Sequence, residues 1–311
     1  MNKTAFLIIC EKGYLEKQSV LLIKSIRKYG DGLSNALIYF FSPRKDHQPS
    51  NKTIKTLKEL GAIHIIWELN YKYSYYGFGN KPFVVAYAEE HINADIFIFL
   101  DSDQITFNEI DLGFLTHFDV GVTPVERKKV GASPNVVDKY LTYWQHLYSL
   151  YRINPKSTVR TLVEQQEIYP YFNAGLIITK KNGLFTEWMK IFEDLMSKSL
   201  YPEKVTFMDQ VSLALAILKL NLKYHVLPSQ FNYPLPAHHR LLRENQICDI
   251  EQIVTLHYHK IFANNLKEHP LDIFPQEAEK VQWAKAELKS VGIYPANLLK
   301  IAFRRWRKLL P

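Results

Sequence analysis

Short uninterrupted apolar runs alternate with longer stretches whose apolar residues recur at helical spacing. Ala5–Cys10 (AFLIIC), Ala36–Phe41 (ALIYFF) and Ala62–Trp67 (AIHIIW) read as strands. Between them, Leu15–Tyr29 places Leu15, Leu22, Ile26 and Tyr29 at helical spacing before Gly30 and Gly32 stop it, and Thr53–Leu60 is a short helix ended by Gly61. A fourth strand, Ile96–Leu100 (IFIFL), stops at Asp101-Ser102-Asp103. Apolar runs without polar alternation belong to strands covered on both faces, and their alternation with helices predicts an α/β fold with a mostly parallel central sheet.

Asn70–Gly79 (NYKYSYYGFG) breaks the pattern with five aromatics and reads as a loop, either packed on itself or serving as a lid or acceptor platform. Lys81–Glu90 is then a helix leading into the fourth strand. Beyond Asp103, Ile105–His117 reads as an irregular connection with a helical turn, Asp119–Thr123 as a strand, Glu126–Asn135 as an exposed polar stretch, and Val136–Tyr151 as a helix. Tyr171–Thr179 is a strand in which Asn-Ala-Gly predicts a close backbone approach. Helices follow at Leu184–Ser197 and Met208–Leu220, then a short strand at Tyr224–Leu227. A Pro-rich loop (Phe231–His239) precedes a final core strand, Ile253–Tyr258, whose end carries His257 and His259. Residues 1–262 are read as one catalytic domain and 263–311 as a helical extension.

In the extension, Pro275–Ser290 reads as a solvated helix of mixed charge. Leu298–Leu310 differs: Leu299, Phe303, Trp306 and Leu310 form one apolar face bordered by Lys300, Arg304, Arg305, Arg307 and Lys308. Such a helix can lie in a membrane interface, where each cation near anionic lipid contributes about 1 kcal/mol. No run of 18 apolar residues and no secretory leader is evident, and two cysteines, Cys10 and Cys248, form no disulfide framework. The expected location is the cytoplasm, peripheral at the cytoplasmic face of a membrane. A formal net charge of +8 favours phosphates, nucleotides or anionic surfaces, but its basic residues match no nucleic-acid reader, and no nucleic-acid partner is expected.

Chemistry is expected where core elements end or are interrupted: Asp101 and Asp103, Asn173, Asp209 and Gln210, and His257. Alone, an Asp-x-Asp pair is equally a solvated turn. Ligands of open α/β sheets bind at the carboxyl ends of strands, however, and all four places can converge at one edge of one sheet. Two carboxylates and an imidazole there could hold a hard divalent cation and its anionic substrate.

Together these pieces resemble the GT-A fold nucleotide-sugar glycosyltransferases, closest to the retaining family that includes glycogenin and the bacterial lipopolysaccharide galactosyltransferases (glycosyltransferase family 8), over Thr4 to Lys260. The resemblance implies manganese, or magnesium, and a UDP-sugar donor. Asp101-Ser102-Asp103 would bind the cation and diphosphate, with His257 completing a metal set of Asp101, Asp103 and His257. Phe172-Asn173-Ala174-Gly175-Leu176 would line the sugar and acceptor region. Asp209 would hold sugar hydroxyls and Gln210 would lie beneath the anomeric carbon, making Gln210, Asp209 and Asn173 the catalytic candidates. Tyr14, with Ile9 and Cys10 backbone groups, would meet the base. Lys81 and Gly175 would lie against the donor. In place of the family's late Lys-Pro-Trp the chain has HYHKIFANNLKEHP, where Lys260 or Lys267 would serve the diphosphate. The expected activity is transfer of a hexose with retention to a glycan or lipid-linked acceptor, as in lipopolysaccharide biosynthesis. The competing readings are an inverting GT-A enzyme, a nucleotidyltransferase, and a catalytically silent carbohydrate- or nucleotide-binding protein of the same fold.

Overall fold

Strands that are apolar at every position need cover on both faces, and the computed structural model, which describes residues 2–200, 207–241, 249–259 and 270–290, supplies it. Six strands of the main sheet are β1 (Thr4–Ile9), β2 (Leu37–Phe41), β3 (Ala62–Ile65), β4 (Ile96–Leu100), β6 (Val120–Pro124) and β9 (Phe172–Lys180). β10 (Tyr224–Val226) completes the order β10-β6-β9-β4-β1-β2-β3. All neighbours run parallel except β9, which is antiparallel to both β4 and β6.

Alternate residues of the apolar runs enter opposite cores. Leu7, Phe97, Phe99 and Ile177 face α3 (Asn80–His91), α4 (Lys139–Tyr151), α5 (Leu184–Ser197) and α6 (Met208–Lys219). Phe6, Ile8, Ile98, Leu100 and Ile178 face α1 (Tyr14–Tyr29) and α2 (Asn51–Glu59). One side chain ties the starts of α1 and α2 together. Glu16 accepts from Gly13 N (3.1 Å) and from Ser50 Oγ and Thr53 Oγ1 (both 2.6 Å). Burial works against its charge, yet these hydrogen bonds bring its pKa down to about 2.

The final core strand expected at Ile253–Tyr258 is shorter and lies elsewhere. β12 (Thr255–His257) belongs to a separate three-stranded sheet, between β11 (Tyr233–Pro234) and β5 (Gln104–Thr106). The convergence expected at one sheet edge therefore takes two sheets. β5 turns back after Asp103 and pairs antiparallel with β12, setting His257 opposite Gln104. A three-residue strand is too short to show periodicity, so β5 lay unread at the start of the connection, although the helical turn within it is present at Gly113–Thr116. Two further readings change in detail, and the stretch before β9, to which the sequence assigned no element, gains one. Gly131, Ala132 and Ser133 are buried within the stretch expected to be exposed. A small ladder of β7 (Val159–Arg160) and β8 (Glu167–Ile168) precedes β9. The loop before β11 includes a 3-10 turn at Ser229–Asn232, and α7 (His238–Leu241) follows β11.

The second sheet has its own core, in which Ile105, Tyr233, Leu256 and Tyr258 meet Leu21 of α1. α8 (Glu279–Ser290) joins it: Val281, Ala284 and Leu288 are buried, and Lys24–Glu287 and Lys28–Glu279 pair at 2.6 Å on its border. The helix read as solvated thus has one solvated face. Among the described residues no helix is long and apolar enough to cross a membrane. The amphipathic segment Leu298–Leu310 and both Lys260 and Lys267 lie outside the described residues.

A half-buried imidazole gives the sheet a pH signature. Ser42 Oγ donates to Cys10 O (2.9 Å), so it accepts from His64 Nε2 (2.9 Å), leaving His64 Nδ1 without a hydrogen-bond partner. Burial, with Lys58 adding, lowers the His64 pKa to about 4. Between pH 6.5 and 4 the unfolded chain takes up a proton there that the folded chain refuses, so stability falls as pH falls through this window. Urea midpoints measured across it should decline less steeply in His64→Phe than in the wild type.

Candidate active site

β4 ends where its apolar run ends, and Asp101 N donates to Gly175 O (2.8 Å), fixing the Asp-Ser-Asp turn against β9. Asp101 Oδ2 accepts from Lys81 Nζ at 2.8 Å. Lys81 stands in the first turn of α3, is 7% exposed, and also approaches Asp209 Oδ2 at 3.5 Å. Burial disfavours its charge, but Asp101 and Asp209 more than restore it, and the pKa lies above the usual lysine value. Burial pushes the Asp209 carboxyl up, against the pull of Lys81. One ammonium thus serves two carboxylates and sits nearer Asp101.

Asp209 opens α6. Tyr76 holds that helix end: its hydroxyl accepts from Met208 N (3.0 Å) and donates to Asp209 Oδ1 (3.3 Å). Asp209 Oδ2 is buried and has no hydrogen-bond partner among the described residues. The aromatic loop therefore divides its work. Tyr73 and Tyr76 are buried against Phe192 of α5, while Tyr71, Tyr75 and Phe78 remain exposed. Gln210 follows on the same helix turn and is half-buried.

On the opposite side, Asp103 Oδ1 lies 3.2 Å from His257 Nε2. Burial opposes ionisation of Asp103, but the charge and hydrogen bond of His257 outweigh it and hold the carboxyl below its usual range. Behind His257 stands Asn232. Its amide nitrogen donates to Thr123 Oγ1 (3.0 Å) and Asn173 Oδ1 (3.1 Å), and its oxygen accepts from Gln104 Nε2 (3.2 Å). That oxygen also lies 2.9 Å from His257 Nδ1, so Nδ1 carries a hydrogen and Nε2 is the nitrogen turned toward Asp103. Asp103, His257 and His259 each offer one ligand atom, all within 4.8 Å of one another. A carboxylate oxygen with imidazole nitrogens suits a divalent first-row cation.

Gly175 joins the two sides. A Cβ there would lie 2.8 Å from His257 Cε1, 2.8 Å from Asn173 Oδ1 and 3.1 Å from Asp101 Oδ2. Asp101 and His257 thus converge on a spot that only glycine leaves open. Gly175→Ala should keep the fold at a cost of about 1–3 kcal/mol while pushing these three groups apart. Calorimetry should then show weakened cation binding alongside a cooperative melt.

The remaining sequence candidates have other partners. Ile9 O accepts from Ser19 Oγ (3.3 Å) and from Ser102 Oγ, which ties the β1 and β4 ends together. Cys10 N donates to Phe41 O (2.9 Å), and burial pushes its thiol up to about 12. Tyr14 is 64% exposed at the start of α1. Asn173 caps its own turn through Gly175 N (2.7 Å). Four site residues went unread: Tyr76, Gln104, Asn232 and Glu126, whose carboxylate lies 3.2 Å from His259 Nε2. Gln104, directly after the Asp-Ser-Asp turn, carried a positional signal; Asn232, in a Pro-rich loop, carried none.

Residues 6–221 match the family described as the Rhodobacterales glycosyltransferase domain, so Asn232, His257 and His259 lie beyond the matched stretch. Comparison with curated proteins gave no match. Among solved structures, the glycosyltransferase GlyE of Streptococcus pneumoniae aligns with a TM-score of 0.52 at 16% identity, over 96% of this chain and 66% of that one. The bifunctional glycosyltransferase WbbM aligns at 0.50 and 16% identity, over 94% of this chain and 50% of its own. The galactosyltransferase LgtC, solved with donor and acceptor sugar analogues, aligns at 0.50 and 13% identity over 98% and 100%. The chain therefore spans half of WbbM and just under two-thirds of GlyE. At these identities the likeness speaks for a shared fold.

Proposed function

Because the chain belongs to the Rhodobacterales glycosyltransferase domain family and is a transferase of the GT-A fold, we propose that it moves a hexose from a UDP-sugar to a glycan or lipid-linked acceptor, with retention, as in the glycogenin-like family. The observation that carries this reading is the meeting of Asp101 and His257 at Gly175, with Lys81 bridging Asp101 to Asp209, Asp103 against His257, and Asp209 Oδ2 buried without a hydrogen bond.

Asp103 and His257 would hold a divalent ion, manganese or magnesium in relatives, with Asp101 beside them. That ion would supply Lewis-acid stabilisation of the departing diphosphate. Lys81 sets a second positive charge against Asp101 and reaches the same donor region. Asp209 Oδ2, which faces Lys81 at 3.5 Å without a hydrogen bond, would accept from a sugar hydroxyl as an orientation contact. Gln210 presents an amide dipole beneath the anomeric carbon, and Asn173 lines the acceptor side. Transfer on the donor's front face needs no second carboxylate: the acceptor hydroxyl attacks, the glycosidic bond to the diphosphate breaks, and the leaving phosphate takes the proton. Tyr14, exposed at the start of α1, would stack on the base, with Ile9, Cys10 and Ser102 shaping the floor beneath it. Lys260 or Lys267 would close on the diphosphate.

On this reading residues 1–262 are the catalytic unit and 263–311 an extension that braces α1 and, through the pattern at Leu298–Leu310, holds the enzyme at the cytoplasmic face of an anionic membrane. The deciding experiment is a panel of nucleotide sugars with manganese, followed by NMR for released diphosphate and for the anomeric configuration of the product. Retained configuration from a UDP-hexose is the expected result; UDP binding without turnover of any donor would overturn it in favour of a silent binding protein. Removing residues 298–311 should release the protein from phosphatidylserine vesicles while turnover of a soluble acceptor persists.

A further inference from the structure

His257 has a neighbour in the cluster described above to which the proposed function gives no role. Two residues on, His259 takes a left-handed backbone conformation (φ 50), which is uncommon for a residue with a Cβ. The turn lays its ring on that of His257, with centroids 3.9 Å apart and planes 29° from parallel. Each ring also has one nitrogen held by a different element. Asn232 Oδ1 holds Nδ1 of His257 at 2.9 Å, and Glu126, just beyond β6, lies 3.2 Å from Nε2 of His259. An imidazole that ligates a metal commonly has its outer nitrogen bound to a carboxylate or an amide or carbonyl oxygen, which fixes the tautomer and aims the other nitrogen. Both rings have such an anchor. One nitrogen of each and one oxygen of Asp103 lie within 4.8 Å of one another.

We propose that His259 is a cation ligand alongside Asp103 and His257, with Glu126 as its positioning residue, and that the resulting two-imidazole site selects a late first-row cation such as cobalt or zinc over magnesium and manganese. The proposal rests on the cation-assisted reading above and deepens it. Magnesium strongly prefers oxygen ligands, and affinity at mixed nitrogen and oxygen sites rises from manganese through cobalt. A second imidazole moves the preference in that direction. Asp101, held by Lys81 at 2.8 Å, is correspondingly less free to serve as the oxygen-rich half of a manganese site.

The test uses the full chain without any sugar donor. Calorimetric titration with cobalt, zinc, manganese and magnesium salts gives the affinity order, and X-ray absorption of the cobalt-loaded protein counts imidazoles. The expected result is two imidazoles in the wild type and one in His259→Gln, with cobalt affinity falling by about tenfold or more and magnesium affinity unchanged. Glu126→Gln should give a smaller loss with both imidazoles retained. A single imidazole in the wild type, cobalt affinity unaffected by His259→Gln, or no cation binding at all would overturn the proposal. His259→Asn serves as the second variant should the first fail to melt cooperatively. Two imidazoles without sugar transfer would leave this inference standing and remove the proposed function; transfer with one imidazole would do the reverse.

Discussion

Asp103→Asn is expected to reduce sugar transfer by about a hundredfold or more. The carboxylate is 3.2 Å from His257 and supplies the charged oxygen of the candidate cation site. Its loss removes part of a Lewis-acid contribution that is worth several kcal/mol, and about 1.4 kcal/mol corresponds to a factor of ten in rate. Asparagine fills the same volume and can still meet the imidazole through its amide, so the fold should survive. Two measurements separate a lost ligand from a damaged structure: the thermal midpoint, expected to move little, and cation affinity measured without donor, expected to collapse. Wild-type turnover in Asp103→Asn would sink the assignment.

Lys81→Met is expected to have the largest effect on stability. Lys81 is the ammonium that both Asp101 and Asp209 face, and Asp209 is 1% exposed. Methionine matches the stem and removes the charge, leaving two carboxylates that have lost the cation between them. Removing one partner of a buried ion pair typically costs about 3–5 kcal/mol, visible as a lower urea midpoint at pH 7. The pH dependence carries the cause. Burial already holds the Asp209 carboxyl above its usual value against the pull of Lys81, and losing the ammonium raises it further. The folded state then binds more protons than the unfolded one, so stability falls as pH rises and recovers on acidification toward pH 5. A Lys81→Met deficit that is the same at pH 5 and pH 8 would point to lost packing instead.

The main sheet was legible because its strands are buried on both faces and leave short apolar runs bounded by turn residues. β1, β2, β3 and β4 were read within a residue or two of their ends. What escaped was the second sheet. β5 and β12 have three residues each and β11 has two, so they exist through pairing and carry no periodic pattern. Site residues followed the same division. Asp101, Asp103, Asn173 and Asp209 stand at the ends or breaks of strong elements, and the resemblance supplied their order. Asn232 orders His257 by a hydrogen bond across 25 residues, and Glu126 meets His259 across 133; no local pattern encodes either. Tyr76 was visible as part of an aromatic loop, but its grip on the start of α6 depends on how α3 and α6 pack.

The placement of His257 has a consequence for the order in which the protein acquires its parts during synthesis. The last strand of the seven-stranded sheet ends at Val226. A ribosome that has released the chain as far as residue 241 has therefore delivered the whole sheet and the helices on both its faces, together with Lys81, both aspartates of the turn, Gly175 and Asp209. It has not delivered the imidazole opposite Asp103. On the proposed function, a chain of that length still lacks one ligand of its cation site, so that site would be the last part of the protein to be completed.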